Sequence, residues 1–140
     1  MAESVKTLIR VLEWEVDQKR RQLAIKLNAL RSLEEEWGNL SKELIQEQEH
    51  SASGADISSF YYANYGMEVI RKQEIIAKEI RNAVSEVNLV REELGEVYNE
   101  LKRFEFISDK RDHRKNQELA KKEQTILDDL GIQTFSRHRR

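Results

Sequence analysis

A large apolar residue stands at every seventh position along the first third of this chain, and this repeat limits the possible folds more than anything else in the sequence. These positions are Ile9, Val16, Leu23, Leu30, Trp37 and Leu44. An unbroken seven-residue repeat of this kind is typical of a helix that buries one narrow seam against a partner helix. The same repeat returns after a short interruption. One chain therefore carries both partners of a coiled coil.

The second run of apolar residues forms two interleaved columns. One column contains Ile80, Val87, Leu94 and Leu101, and the other contains Val69, Ile76, Ala83, Val90, Val97 and Phe104. Alternating spacings of three and four are those of the a and d positions of a heptad. Folding back pairs residues whose numbers add up to roughly 110. We predict an all-α fold, a two-helix antiparallel coiled-coil hairpin in which helix two extends past helix one.

Capping and helix-breaking residues set the predicted boundaries. Ser4 is a good N-cap residue, Gly54 lies in a small polar stretch, and Gly131 is expected to stop helix two. The predicted segments of this single coiled-coil domain, residues 1–140, are helix one at about 4–48, a loop at about 49–57, helix two at about 58–129 and a basic tail at 131–140.

The second seam column of helix one is interrupted in the middle. With Ile9 at position a, two successive d positions are occupied by Lys19 and Lys26. A lysine can lie along an apolar seam by its alkyl stem while its ammonium group stays in water. We therefore expect the middle of the hairpin to pack more loosely than its ends.

The composition favours long exposed helices over a compact globule. The 140 residues include no Pro and no Cys, and 36% of them are charged. Without Cys there is neither a disulfide framework nor a thiol nucleophile. No apolar run is long enough to cross a bilayer, and the N-terminus does not resemble a signal peptide. We expect a soluble, intracellular protein.

The charge is unevenly distributed. Residues 1–27 hold six basic and four acidic side chains and residues 107–140 hold nine and six, so residues 28–106 carry a net −7 within a total of −2. In a hairpin both basic segments would lie at the same end. Acidic residues interleave the basic ones, which disfavours nucleic acid. We prefer a protein partner with an acidic surface, because the basic C-terminal segment also carries a sparse stripe of apolar residues that nothing obvious in this chain covers.

No enzyme motif is present. The chain lacks a Gly-rich phosphate loop, an HExxH sequence and a zinc-ligand spacing. Asp109 and His113 stand one helical turn apart and could share a metal ion, but two ligands on an exposed helix make a weak site. We therefore expect no catalytic residue, no cofactor and no metal.

Several aromatic residues have two interpretations. Trp37 is expected to pack in the seam, whereas Trp14, at position f, either faces outward as a binding residue or is turned inward. Tyr62, Tyr65 and Val69 can form one stripe, which either caps the core or binds a partner. The candidate partner contacts are Tyr62, Tyr65, Trp14, Lys110, Arg111, Arg114 and Lys115.

Three stretches of the sequence carry a resemblance to a known family. They are Leu8-Ile9-Arg10 followed by Val16-Asp17-Gln18-Lys19-Arg20-Arg21, the aromatic opening of helix two with Tyr62, Tyr65 and Val69, and the C-terminal Leu127-Asp128-Asp129. With them, essentially the whole chain resembles the FliJ family, the small coiled-coil protein of the bacterial flagellar type III export apparatus.

The resemblance implies a non-catalytic stalk that couples the export ATPase ring to the export gate and escorts export chaperones. The implied partners are the export ATPase hexamer, the cytoplasmic domain of the export gate and the export chaperones. The terminal end of the hairpin would face the ATPase, and the aromatic stripe would contact the gate.

The oligomeric state, the location and the alternative functions are also predicted. We expect a monomeric rod when free, cytoplasmic and peripherally associated with the inner membrane at the flagellar base. We expect neither nucleic acid nor direct membrane insertion. A general coiled-coil chaperone or adaptor is the alternative function, and a nucleic-acid-binding helical hairpin is less favoured.

Overall fold

The structure, a computed structural model, contains two long α-helices. It describes the backbone of residues 2–52 and 56–139 and the side chains of residues 3–50 and 63–137. Helix α1 spans Ala2–Ala52 and helix α2 spans Asp56–Arg139. The two helices pack against each other as an all-α antiparallel hairpin, and α2, with 84 residues against 51, extends past α1. The predicted fold class is confirmed.

The helix ends differ from the predicted ones. Helix α1 begins before Ser4 and continues to Ala52, and α2 continues through Gly131 to Arg139. Glycine lowers helix stability by only about 1 kcal/mol and ends a helix when it adopts a positive φ. No described glycine has a positive φ, so Gly131 continues the helix. The expectation for Gly54 lies outside the described residues.

The chain forms two compact units. Unit 1 contains Met1–Glu15 and Val97–Arg140, and unit 2 contains Val16–Glu96. The buried core of unit 1 consists of Leu12 and Leu101. The buried core of unit 2 consists of Val16, Val69, Ile76, Val87 and Val90. Each core is thin because a helix in a two-helix seam buries only one narrow stripe.

Most of the predicted seam residues are at least half-buried. Beside the buried ones, the half-buried members are Ile9, Leu23, Leu30, Leu44, Ile80, Leu94, Val97 and Phe104. Trp37 differs, because 42% of it is exposed. An indole ring is too large for a single facing helix to enclose, so part of it stays in contact with solvent.

Two ion pairs join the helices at the lysines of the interrupted column. Lys19 bonds Glu93, and Lys26 Nζ lies 2.9 Å from Glu86 Oε2. The residue numbers of both pairs add up to 112, which agrees with the predicted register. The lysine heads thus have acidic partners on α2, and these partners were not predicted from the sequence. Since the pairs are partly exposed, each contributes about 1 kcal/mol or less.

Candidate interaction surfaces

The C-terminal segment of α2, residues 109–137, is exposed at every position. Short-range side-chain bonds support this helix instead of a partner helix. Gln124 donates to Asp128 at 3.0 Å, and the Thr125 hydroxyl donates to the Lys121 carbonyl at 2.9 Å. A Gln–Asp pair four residues apart stabilises a helix by about 0.2–0.5 kcal/mol, whereas the threonine hydroxyl only satisfies its own donor on a carbonyl of the preceding turn. The segment therefore presents its side chains to solvent all round.

One face of this segment carries a stripe of exposed apolar side chains. The C-terminal stripe consists of Leu119, Ile126, Leu127 and Leu130. Their spacings of seven, eight and eleven from the first residue place them on one side of a helix with 3.6 residues per turn. The stripe is therefore a surface that a partner helix or groove could cover.

Basic side chains precede the stripe. The basic cluster consists of Lys110, Arg111, Arg114 and Lys115, all exposed. Lys110 Nζ lies 4.9 Å from the centre of the Phe106 ring, a cation–π arrangement that keeps its ammonium group near the helix surface. From residue 110 to residue 122 the helix holds six basic and two acidic residues. This stretch is therefore positively charged.

The first turns of α1 also expose apolar side chains in unit 1. Trp14 is 63% exposed, and Val11 and Leu8 are exposed beside it in sequence. Of the two interpretations of Trp14, the structure supports the outward one. Exposed tryptophan is enriched at binding surfaces, so Trp14 remains a candidate contact.

In unit 2 a set of specific contacts joins the loop-proximal parts of the two helices. Gln73 Nε2 donates to Ser41 Oγ at 2.6 Å and to the Trp37 carbonyl at 3.4 Å. The Tyr65 hydroxyl donates to Glu43 Oε2 at 3.0 Å. We call these five residues the clasp. Tyr65 is half-buried and engaged within the chain, so it supports the hairpin directly.

Gln73 was not among the predicted site residues, although a signal for it was present. The column Ile80, Val87, Leu94 and Leu101, extended back by seven residues, reaches Gln73. A polar residue at an a position of an apolar column is a recognised device for choosing register. Its partner Ser41 could not be identified in advance, because that pairing depends on how two distant segments align.

A shallow groove lies between the helices of unit 2, close to the clasp. Its volume is about 390 Å³. Its lining residues are Glu36, Leu40, Lys72, Ile75, Ile76 and Glu79. Ile75 is exposed there beside charged side chains of both signs. Such a mixed, open surface suits a protein side chain better than a small-molecule substrate.

Tyr65 gives a pH-dependent prediction. The hydrogen bond to the Glu43 carboxylate, followed by desolvation, raises the pKa of Tyr65 above its ordinary 10.0. A raised pKa in the folded state contributes stability below the unfolded pKa, and this contribution is lost as the pH rises through the folded pKa. We expect Tyr65→Phe to lower the melting temperature at pH 8 but not at strongly alkaline pH. An equal effect at both pH values would contradict the role of this bond.

Metal ligands do not cluster in the described part of the chain. No group of three His, Asp or Glu side chains among these residues could hold a metal ion. His113 instead lies 3.2 Å from the Gln117 side-chain nitrogen. No helix among residues 2–52 and 56–139 is long and apolar enough to cross a membrane.

A match to one protein family covers nearly all of the chain. The family model for the flagellar FliJ protein matches residues 4–140. The chain belongs to the FliJ family. No curated protein and no solved structure matches it. FliJ proteins are non-catalytic components of flagellar export, so this family member is a flagellar export-related protein.

Among the candidate contacts of this FliJ family member, the structure places Trp14 and the basic cluster on exposed surfaces of unit 1. Tyr65 belongs to the clasp of unit 2. The side chain of Tyr62 lies outside the described residues. All of these assignments as partner contacts stay predictions.

Proposed function

We propose that this FliJ family member is a stalk that couples the export ATPase ring to the export gate and escorts export chaperones. The observation that supports it best is the C-terminal segment of α2, where an exposed apolar stripe follows a basic cluster. Because this segment is not packed against another helix, it can enter a ring without first dissociating from a partner. The proposed location is the cytoplasmic face of the inner membrane at the flagellar base.

The two features of the C-terminal segment have different roles in the proposed ATPase contact. The basic cluster attracts an acidic surface and speeds association, an effect that salt screens. The stripe supplies apolar area, and each fully buried leucine or isoleucine contributes about 1.5–3 kcal/mol. Charge therefore selects the partner surface, and burial holds the complex together.

The proposed gate contact lies on unit 2. The groove with exposed Ile75, next to the clasp that holds Tyr65, offers a mixed apolar and charged surface of the kind found in protein interfaces. The free protein is proposed to be monomeric, since the hairpin satisfies its own seam. Export chaperones are the third proposed class of partner, supported by family membership alone.

Coupling in this proposal needs no nucleotide site on the chain. A ligand shifts a conformational equilibrium by the difference between its affinities for the two states. A helix that binds one state of the ATPase ring better than another therefore shifts the ring towards that state, and the occupancy of the helix in turn depends on the state of the ring. The chain itself contributes the binding surfaces, which lie on two continuous helices.

Charge reversal of the basic cluster tests the ATPase contact. We expect the variant with Lys110, Arg111, Arg114 and Lys115 all replaced by Glu to bind the purified export ATPase at least about tenfold more weakly, because repulsion replaces attraction. Isothermal titration at two salt concentrations measures this. The helical content should stay unchanged, since all four side chains are exposed.

A matched control keeps the number of charge reversals but moves them to unit 2. Lys42, Arg71, Lys78 and Arg81 are exposed and lie outside the proposed ATPase contact. The control variant should bind the ATPase like the unmodified chain. Equal weakening by both variants would mean that only overall charge matters, and unchanged binding by the first variant would remove the basic cluster from the proposal.

A further inference from the structure

The two ion pairs of unit 2 do not by themselves select one alignment of the helices. Lys19 and Lys26 are seven residues apart, as are their partners Glu93 and Glu86. Glu79 continues the same acidic column by one more heptad. If α2 slid by seven residues, Lys19 would meet Glu86 and Lys26 would meet Glu79. Both ion pairs would thus re-form after a slip of one heptad.

The apolar seam is similarly tolerant of such a slip. Apart from Lys19, Lys26 and Gln73, the facing columns are apolar between Ile9 and Leu44 and between Val69 and Phe104, so a shift of seven residues again sets apolar side chains against apolar side chains. Trp37, the bulkiest member, is 42% exposed, so the facing helix does not enclose it in a shape that only one alignment fits. Neither charge nor apolar periodicity therefore accounts for a single register.

The contacts of Gln73 do not survive the slip. The same movement carries Ser41 away from Gln73 and places it opposite Gly66, which has no side chain to donate. The Ser41 hydroxyl would lose the donor it has in the structure, and the Trp37 carbonyl, which the α-helix already supplies with a backbone N–H, would lose an additional one. Glu34, one heptad before Ser41, would come opposite Gln73, so a longer, charged side chain would have to fit where a hydroxyl fits now. Polar groups that lose their partners in a half-buried site are unfavourable, and polar residues at a positions fix coiled-coil register for this reason.

We propose that Gln73, through Ser41 and the Trp37 carbonyl, is the register lock of the hairpin, and that without it α1 and α2 populate a second alignment displaced by one heptad. The Lys–Glu pairs stabilise either alignment and choose neither. After the slip Tyr65 would meet Glu36, one heptad before Glu43, so the Tyr65–Glu43 bond stabilises the hairpin without selecting an alignment. The register lock does not depend on the proposed export role.

Spin-label distance measurements on the full chain test the lock. The natural sequence has no Cys, so Arg20→Cys with Arg71→Cys, both at exposed positions of unit 2, supplies a unique pair of labels. In this background Gln73→Leu removes the amide and keeps the seam filled. We expect one label-to-label distance when Gln73 is present. The Gln73→Leu variant should show two distances that differ by about 10 Å, the length of seven helical residues.

The matched control removes the ion pairs and keeps Gln73. Glu86→Gln with Glu93→Gln should lower the melting temperature while a single distance remains. A single, unchanged distance for Gln73→Leu would overturn the proposal, and so would a second distance in the control variant, where the lock is intact. A second distance that disappears on dilution would show pairing between two copies, and that outcome also contradicts an internal slip.

Discussion

Val87→Asp is expected to unfold unit 2. Val87 is 3% exposed and lies in the seam column of α2, and Lys26, the basic residue that the register brings closest to it, is already paired with Glu86. Burying an unpaired carboxylate costs several kcal/mol. Small domains are stable by only about 5–15 kcal/mol, and a thin two-helix core leaves little reserve. The far-UV circular dichroism signal at 25 °C should fall markedly, and the thermal transition should move to much lower temperature.

A control for this substitution is present on the same helix. Val84 is 40% exposed, so Val84→Asp introduces the same residue with the same change in helix propensity at a position where the carboxylate can reach water. We expect Val84→Asp to change the free energy of unfolding by about 0.5 kcal/mol or less. If Val87→Asp proved as stable as Val84→Asp, the α2 seam would be misplaced.

Ile126→Asp is expected to weaken binding to the export ATPase by about tenfold to a hundredfold. Ile126 is 58% exposed in the free chain, and its burial in the proposed complex would contribute about 1.5–3 kcal/mol. Each 1.4 kcal/mol corresponds to a factor of about ten in the dissociation constant. The melting temperature should stay unchanged, because no described contact of the free chain depends on this side chain.

Ile132→Asp is the matched control for the stripe. Ile132 lies in the same exposed segment and is 66% exposed, but a spacing of six residues turns it away from the side of the helix that carries Ile126. Titration of the ATPase with both variants separates the two faces. Equal loss of affinity would show that the C-terminal segment acts through general hydrophobicity, and no loss with Ile126→Asp would exclude the stripe as the contact.

The two-helix hairpin could be predicted because heptad periodicity is a local property of each segment. The column from Ile9 to Leu44 is apolar at every step, so one face of α1 had to be covered. The same periodicity predicts the columns of α2 and an approximate register. Helix ends are predicted less well, as Gly131 shows, because a single glycine costs about 1 kcal/mol, which is too little to stop the helix.

Some features of the candidate surfaces could be predicted from the sequence, and others could not. The stripe from Leu119 to Leu130 and the basic cluster could be recognised from spacing and charge, since both lie on one continuous helix. Whether Trp14 faced outward could not be settled by the heptad frame alone, and the exposed part of Trp37 was not foreseen. Exposure depends on what the other helix places opposite each ring.

The order of residues was enough to establish two paired helices, the course of their seams and the segment that carries excess positive charge. The pairing of individual residues came from the folded arrangement, in which Lys19 meets Glu93, Lys26 meets Glu86 and Gln73 meets Ser41. Periodicity specifies a face of each helix, whereas two residues distant in sequence meet only when the two faces are aligned along their length. Several alignments satisfy the same repeat, and a few polar contacts distinguish between them.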